Sequence, residues 1–154
     1  MSSVIDARLE ELGLTLPEAP APAANYVPFV KTGHLVFISG QISRDETGFI
    51  LGKLGQDIGP ERGYEAARAC ALALIAQLKV ACGGDLDRLV RVVKLTGFVN
   101  ATPDFTDHPK VVNGASDLFA EVFGERGRHA RAAVGSVSLP LGVAVEVEGV
   151  FEIA

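Results

Sequence analysis

The stretch that most restricts the fold is the last one, RAAVGSVSLPLGVAVEVEGVFEI, Arg131 to Ile153. From residue 143 onward, Val143, Val145, Val147, Phe151 and Ile153 point one way and Glu146, Glu148 and Glu152 the other, because successive side chains of a strand leave on opposite faces. A strand of this kind belongs in a sheet whose apolar face is covered by helices. Its mixed face needs another cover, and an unpaired charge buried there costs roughly several kcal/mol. The glutamates must therefore meet water, a partner charge or a ligand.

The covering helices are legible. PERGYEAARACALALIAQLKVAC, residues 60–82, opens with Pro60 at the first helical position and closes at Gly83-Gly84. A second helix is predicted from Pro109 to Phe123, where Val111, Val112, Ala115, Leu118, Phe119 and Val122 recur at three and four. Strands are expected at YVPFV and HLVFISGQI around a KTG turn, with RDETGFI a second turn. RLVRVVKLTGFV, Arg88 to Val99, reads as a buried strand with Gly97 as a bulge, entered from GGDLDR as a plain turn without the lysine and spacing of a phosphate loop. The order β-β-(β)-α-β-α-β-β predicts an α+β fold, a mixed sheet with both helices on one face. Counting a hairpin about Leu139 to Gly142 sets Arg131 opposite Glu148 or Gly149.

Ahead of this body, Ser3 and Asp6 cap a short helix carrying Ile5, Leu9 and Leu12 and ending at Gly13. The chain divides into this N-terminal helix (1–16), a Pro/Ala linker (17–24) and a main domain (25–154). The helix is expected to be dispensable, being tied through the linker alone.

The chain's 154 residues suit one domain. Its apolar content of 48% and mean hydropathy of +0.29 are high, yet no apolar run reaches the roughly 18 residues of a membrane span. The surplus points to subunit contacts rather than a membrane. A net charge of −5 repels phosphate backbones and argues against nucleic acid as a partner. Cys70 and Cys82 stand about 18 Å apart along one helix and cannot pair. The start MSSVIDARLEELGL has acids where a signal or transit peptide would have basic residues, so a cytoplasmic location is expected. His34, His108 and His129 are scattered, without zinc-type spacing, and no metal is expected. No serine or cysteine triad can be read from the spacing.

Two readings stand open for each charged candidate. Arg131 can clamp a small carboxylate with two parallel N–H groups, or pair with Glu146, Glu148 or an interface acid. Glu146 can activate a water as general base, or sit as a salt-bridged strand glutamate. Ser39 and Gly40 can offer a hydroxyl and an N–H to an anion, or form an ordinary strand exit. Tyr26 can overhang a pocket or simply pack. Asp107, before His108-Pro109, is expected to cap the second helix.

Taken together, YVPFV, GHLVFISGQIS, GKLGQDI, the Ala-rich helix, VVKLTGFVNATPDF and the closing stretch resemble the RidA/YjgF family, also described as endoribonuclease L-PSP-like, over residues about 25 to 154. The resemblance implies a chorismate-mutase-like fold and a homotrimer with clefts between subunits. It implies that Arg131 holds a substrate carboxylate and Glu146 orients a water, with Tyr26, Ser39, Gly40 and the residue at 133 lining the cleft. The implied reaction is hydrolysis of a reactive enamine or imine, such as 2-aminoacrylate, to a 2-keto acid and ammonia without a cofactor. Ala133 stands where the family often has Cys, the segment TDHPKVVNGAS is longer than usual, and the N-terminal helix is additional. These features look like a longer branch. Three functions follow for test: an imine deaminase, a trimeric carboxylate sensor without hydrolysis, and, more weakly, an endoribonuclease.

Overall fold

The computed structural model describes residues 3–19 and 25–154. Helix α1 spans Val4–Glu11, strands β1 and β2 span Phe29–Thr32 and Leu35–Ile42, and a small ribbon pairs β3 (Arg44–Asp45) with β4 (Gly48–Phe49). Then come α2 (Pro60–Ala81), β5 (Leu89–Asn100), α3 (His108–Phe123), β6 (Ala130–Ser136) and β7 (Val145–Ile153). Five strands form one mixed sheet in the order β1-β2-β7-β5-β6. The α+β class read from the sequence is the class observed.

Alternation decides the layers. In β7, Val145, Val147, Phe151 and Ile153 are buried while Glu146, Glu148, Val150 and Glu152 turn to the other side. The buried row meets Leu74, Leu118 and Phe119 of α2 and α3 in one core. The face away from the helices carries half-exposed Phe37, flanked in register by Val30 of β1 and Val150 of β7. Among the described residues nothing covers that apolar strip.

Three expectations change. Leu139 to Gly142 does not close a hairpin, because β5 lies between β6 and β7, pairing parallel with the first and antiparallel with the second. The crossover through α3 returns the chain beside the strand it left, as β-α-β units do. Gly97 is no bulge: it pairs regularly with Val147 and Ala133, and a β-carbon on it would come within 2.6 Å of Val112 on α3. The register shifts between β5 and β7 fall instead at Leu89/Arg91 and Val92/Lys94.

The third change concerns α1. Ser3 caps it through the expected reciprocal box with Asp6, but the helix is not a loose appendage. Ile5 and Leu9 are buried in the common core. The Asp87 carboxylate accepts the Val4 and Ile5 N–H groups at 2.9 Å each, Lys79 pairs with Asp6 at 3.0 Å, and Arg8 donates to the Glu121 carbonyl. The linker residues 20–24 lie outside the described residues.

Candidate functional site

The sequence candidates fall into two groups on opposite faces of the sheet. Glu146 belongs to the open face. Its cross-strand neighbours are Ile42 on β2 and Phe98 on β5, so its carboxylate stands among apolar groups. Burial, and secondarily the charge of Glu148 two residues on, push the Glu146 carboxyl above its ordinary value. Its side chain lies over Gly40, in the space a β-carbon there would occupy. The register of β2 against β7 breaks between Ile38 and Gln41, which brings the Ser39-Gly40 pair to this point.

Ser39 is spent on its own neighbourhood. Its hydroxyl donates to the Val27 carbonyl at 2.8 Å and its N–H to the Pro28 carbonyl at 2.9 Å. These bonds tie the segment bearing Tyr26, whose side chain is 53% exposed, against the strand beside Gly40. Gly40 and Glu146 thus meet next to Ser39, which anchors the segment following Tyr26.

Arg131 belongs to the helix face. It pairs in register with Leu95, which is wholly buried and in turn faces Gly149. Its Nη1 donates to Asn113 Oδ1 at 2.8 Å and to Ser116 Oγ at 3.1 Å, both on α3. None of the ion pairs among the described residues includes Arg131 or Glu146. A guanidinium held at one nitrogen by neutral oxygens keeps further N–H donors for an anion. Ala133, two residues on, lies on the same face opposite Gly97 and packs on the core.

Spacing alone gave no sign of what surrounds Arg131. Ser116 Oγ lies 2.9 Å from His129 Nε2, and His129 Nδ1 lies 2.7 Å from the Gly127 carbonyl. These groups border a pocket of about 410 Å³. Asn113 and Ser116 stand three residues apart on α3, and His129 immediately precedes edge strand β6, which carries Arg131. Only the packing of α3 on β6 makes them neighbours. Asp107 occupies the cap position of α3 as expected, but its side chain makes no capping bond. Among the described residues no group of three or more His, Cys, Asp and Glu gathers as a metal site would, and no helix is long and apolar enough to cross a membrane.

Comparison with known proteins agrees with this architecture. A family model described as "YjgF/chorismate mutase-like, putative endoribonuclease" matches residues 6–152, so the likeness begins inside α1 rather than at residue 25. Protein TCP17 of Trypanosoma cruzi is 49% identical over 99% of this chain and 96% of its own length. A crystal structure of a "putative endoribonuclease" from Shewanella oneidensis is 37% identical with a TM-score of 0.92, covering 99% of this chain and all of the other. RidA from an Antarctic Psychrobacter species is 30% identical with a TM-score of 0.59, covering 88% of this chain and 94% of its own. The chain belongs to the YjgF/chorismate mutase-like family.

Proposed function

We propose that this protein hydrolyses small, carboxylate-bearing imines in clefts built between subunits of a homotrimer. The observation that carries the reading is the division of charges. Glu146 is a half-buried carboxyl with a raised pKa on one sheet face, and Arg131, on the other, has no acidic partner among the described residues. A small ligand can meet both only when they come from different subunits, and the uncovered strip of Val30, Phe37 and Val150 supplies a surface for such assembly. Likeness to RidA favours the same chemistry.

In this reading Arg131 grips the carboxylate, and Glu146 takes a proton from water as the water's oxygen attacks the imine carbon. The carbinolamine then expels ammonia and leaves a 2-keto acid. A protonated imine is already electrophilic, so orientation and charge placement suffice without a metal or cofactor. An amino-acid dehydratase generating 2-aminoacrylate in place tests it: added protein should speed keto-acid formation. Sedimentation should give a trimer at micromolar concentration, and a stable monomer would remove the cleft.

A second reading is a sensor that binds the carboxylate and does no hydrolysis. Ala133 in place of the family's frequent Cys favours it. Keto-acid binding without any acceleration of imine hydrolysis would choose it. The endoribonuclease named among the relatives has less support, since a net charge of −5 and the paired acids Glu146 and Glu148 on the open face repel a phosphate backbone.

A further inference from the structure

The pocket bordered by Ser116, His129 and Arg131 holds a serine and a histidine to which imine hydrolysis gives no role. A carbonyl oxygen only accepts, so the 2.7 Å contact between His129 Nδ1 and the Gly127 carbonyl places a proton on Nδ1. A neutral ring then leaves Nε2 bare, and Ser116 donates its hydroxyl proton to it across 2.9 Å. Burial, and then the charge of Arg131, keep the His129 ring below its ordinary pKa, partly offset by the Gly127 bond, so the neutral form holds at neutral pH.

The serine oxygen meanwhile accepts from Arg131 Nη1 at 3.1 Å, which lowers the cost of negative charge on it. Nucleophile, base within hydrogen-bond reach, and base fixed by a third group form the arrangement that activates a serine. The groups facing the ring are few. Ser116, Asp117 and Phe119 come from α3, Arg131 from β6, and Arg128 and the Gly127 carbonyl from the ring's own segment. Asp117 is engaged by the Tyr64 hydroxyl of α2 at 2.7 Å.

We propose that Ser116 and His129 form a nucleophile and base pair beside Arg131 that accepts the acyl group of a small activated ester. Ser116 Oγ bonds to the ester carbonyl carbon while its proton passes to His129 Nε2, and the Arg131 guanidinium stands next to the developing charge. The bond to the leaving oxygen breaks, and that oxygen takes the proton from Nε2. Water then attacks the acyl-serine, yields a proton to Nε2, and releases the acid as Ser116 Oγ is reprotonated. The pocket lies on the helix face and shares Arg131 with the imine reading, but its nucleophile and base do not depend on Glu146.

The wild-type protein is treated with diisopropyl fluorophosphate, whose phosphorus the serine attacks with loss of fluoride, and the adduct is mapped by peptide mass. The adduct is expected on Ser116 and is lost in Ser116→Ala. Its rate rises with pH through a midpoint below 6.5 as His129 becomes neutral. His129→Asn keeps a donor for the Gly127 carbonyl but has no base, and should slow labelling about 100-fold. No adduct on Ser116, or a labelling rate indifferent both to pH and to His129→Asn, would overturn the pair. Should the variant not fold, the wild-type pH profile decides. Keto-acid formation without a Ser116 adduct discards this site and leaves the imine reading; an adduct without keto acid does the reverse.

Discussion

The Glu146 carboxylate lies over the backbone of Gly40, with Oε2 in the place where a side chain on residue 40 would begin. Gly40 is therefore part of the seat of the proposed base. Its hydrogen in place of a methyl sets where the carboxylate can rest.

Gly40→Ala should separate function from fold. The atom that must give way is the far end of a flexible side chain, so stability should change little, while the carboxylate leaves its seat. Imine hydrolysis is expected to fall about tenfold or more, since small misplacements of a reacting group are costly, with a thermal midpoint near wild type. An unfolded variant would show that Gly40 serves packing instead.

Arg131→Lys and Glu146→Gln should differ in kind. Lysine keeps the charge but loses the two-pronged geometry, and charge-assisted hydrogen bonds are worth about 1.5–3 kcal/mol, so keto-acid affinity should drop roughly tenfold to a hundredfold. Glutamine at 146 should leave that affinity intact and abolish hydrolysis, because an amide takes no proton from water. Calorimetry with pyruvate and the coupled dehydratase assay read the two effects. If both variants merely dissociate the oligomer, the charges are structural.

The raised Glu146 pKa sets a sign for pH. A base must be ionised, so activity should fall on the acid side at a higher pH than an ordinary glutamate would give, and Glu148→Gln should move that limb downward by removing the second cause. In stability the direction reverses. The folded chain holds this proton more tightly than the unfolded one, so the benefit is complete below the unfolded value near 4.5 and lost as pH rises through the folded value. Glu146→Gln should accordingly gain thermal stability over wild type at pH 7 and not at pH 4. An advantage at pH 4 alone would contradict the raised value.

Truncation should reveal α1 as core. Ile5→Ala removes a side chain 2% exposed and should cost about 2–5 kcal/mol in urea unfolding. Removing residues 1–12 also strips the Asp87 carboxylate of both N–H partners and should lower stability further. An unchanged midpoint for Ile5→Ala would mean that the helix does not dock in solution.

The alternation of residues 143–153, the helix of residues 60–82 and the capping box at Ser3 were legible because each is a local property: a period of two, a period of 3.6, a side chain reaching its own third neighbour. The α+β class followed from their order, and Arg131 and Glu146 were singled out as charges in an apolar stretch. Tertiary structure decided what local patterns cannot carry. It inserted β5 between β6 and β7, so that Arg131 pairs with Leu95 instead of lying opposite Glu148 or Gly149 on a hairpin, and stands on the sheet face away from Glu146. It also buried Ile5 and Leu9 beneath the rest of the chain, gave Gly97 its role as room for Val112, and set Ser116 against His129 across the contact of α3 with β6. Strand neighbours are chosen by crossover connections and by which apolar faces must be covered together, and that choice depends on the whole chain at once.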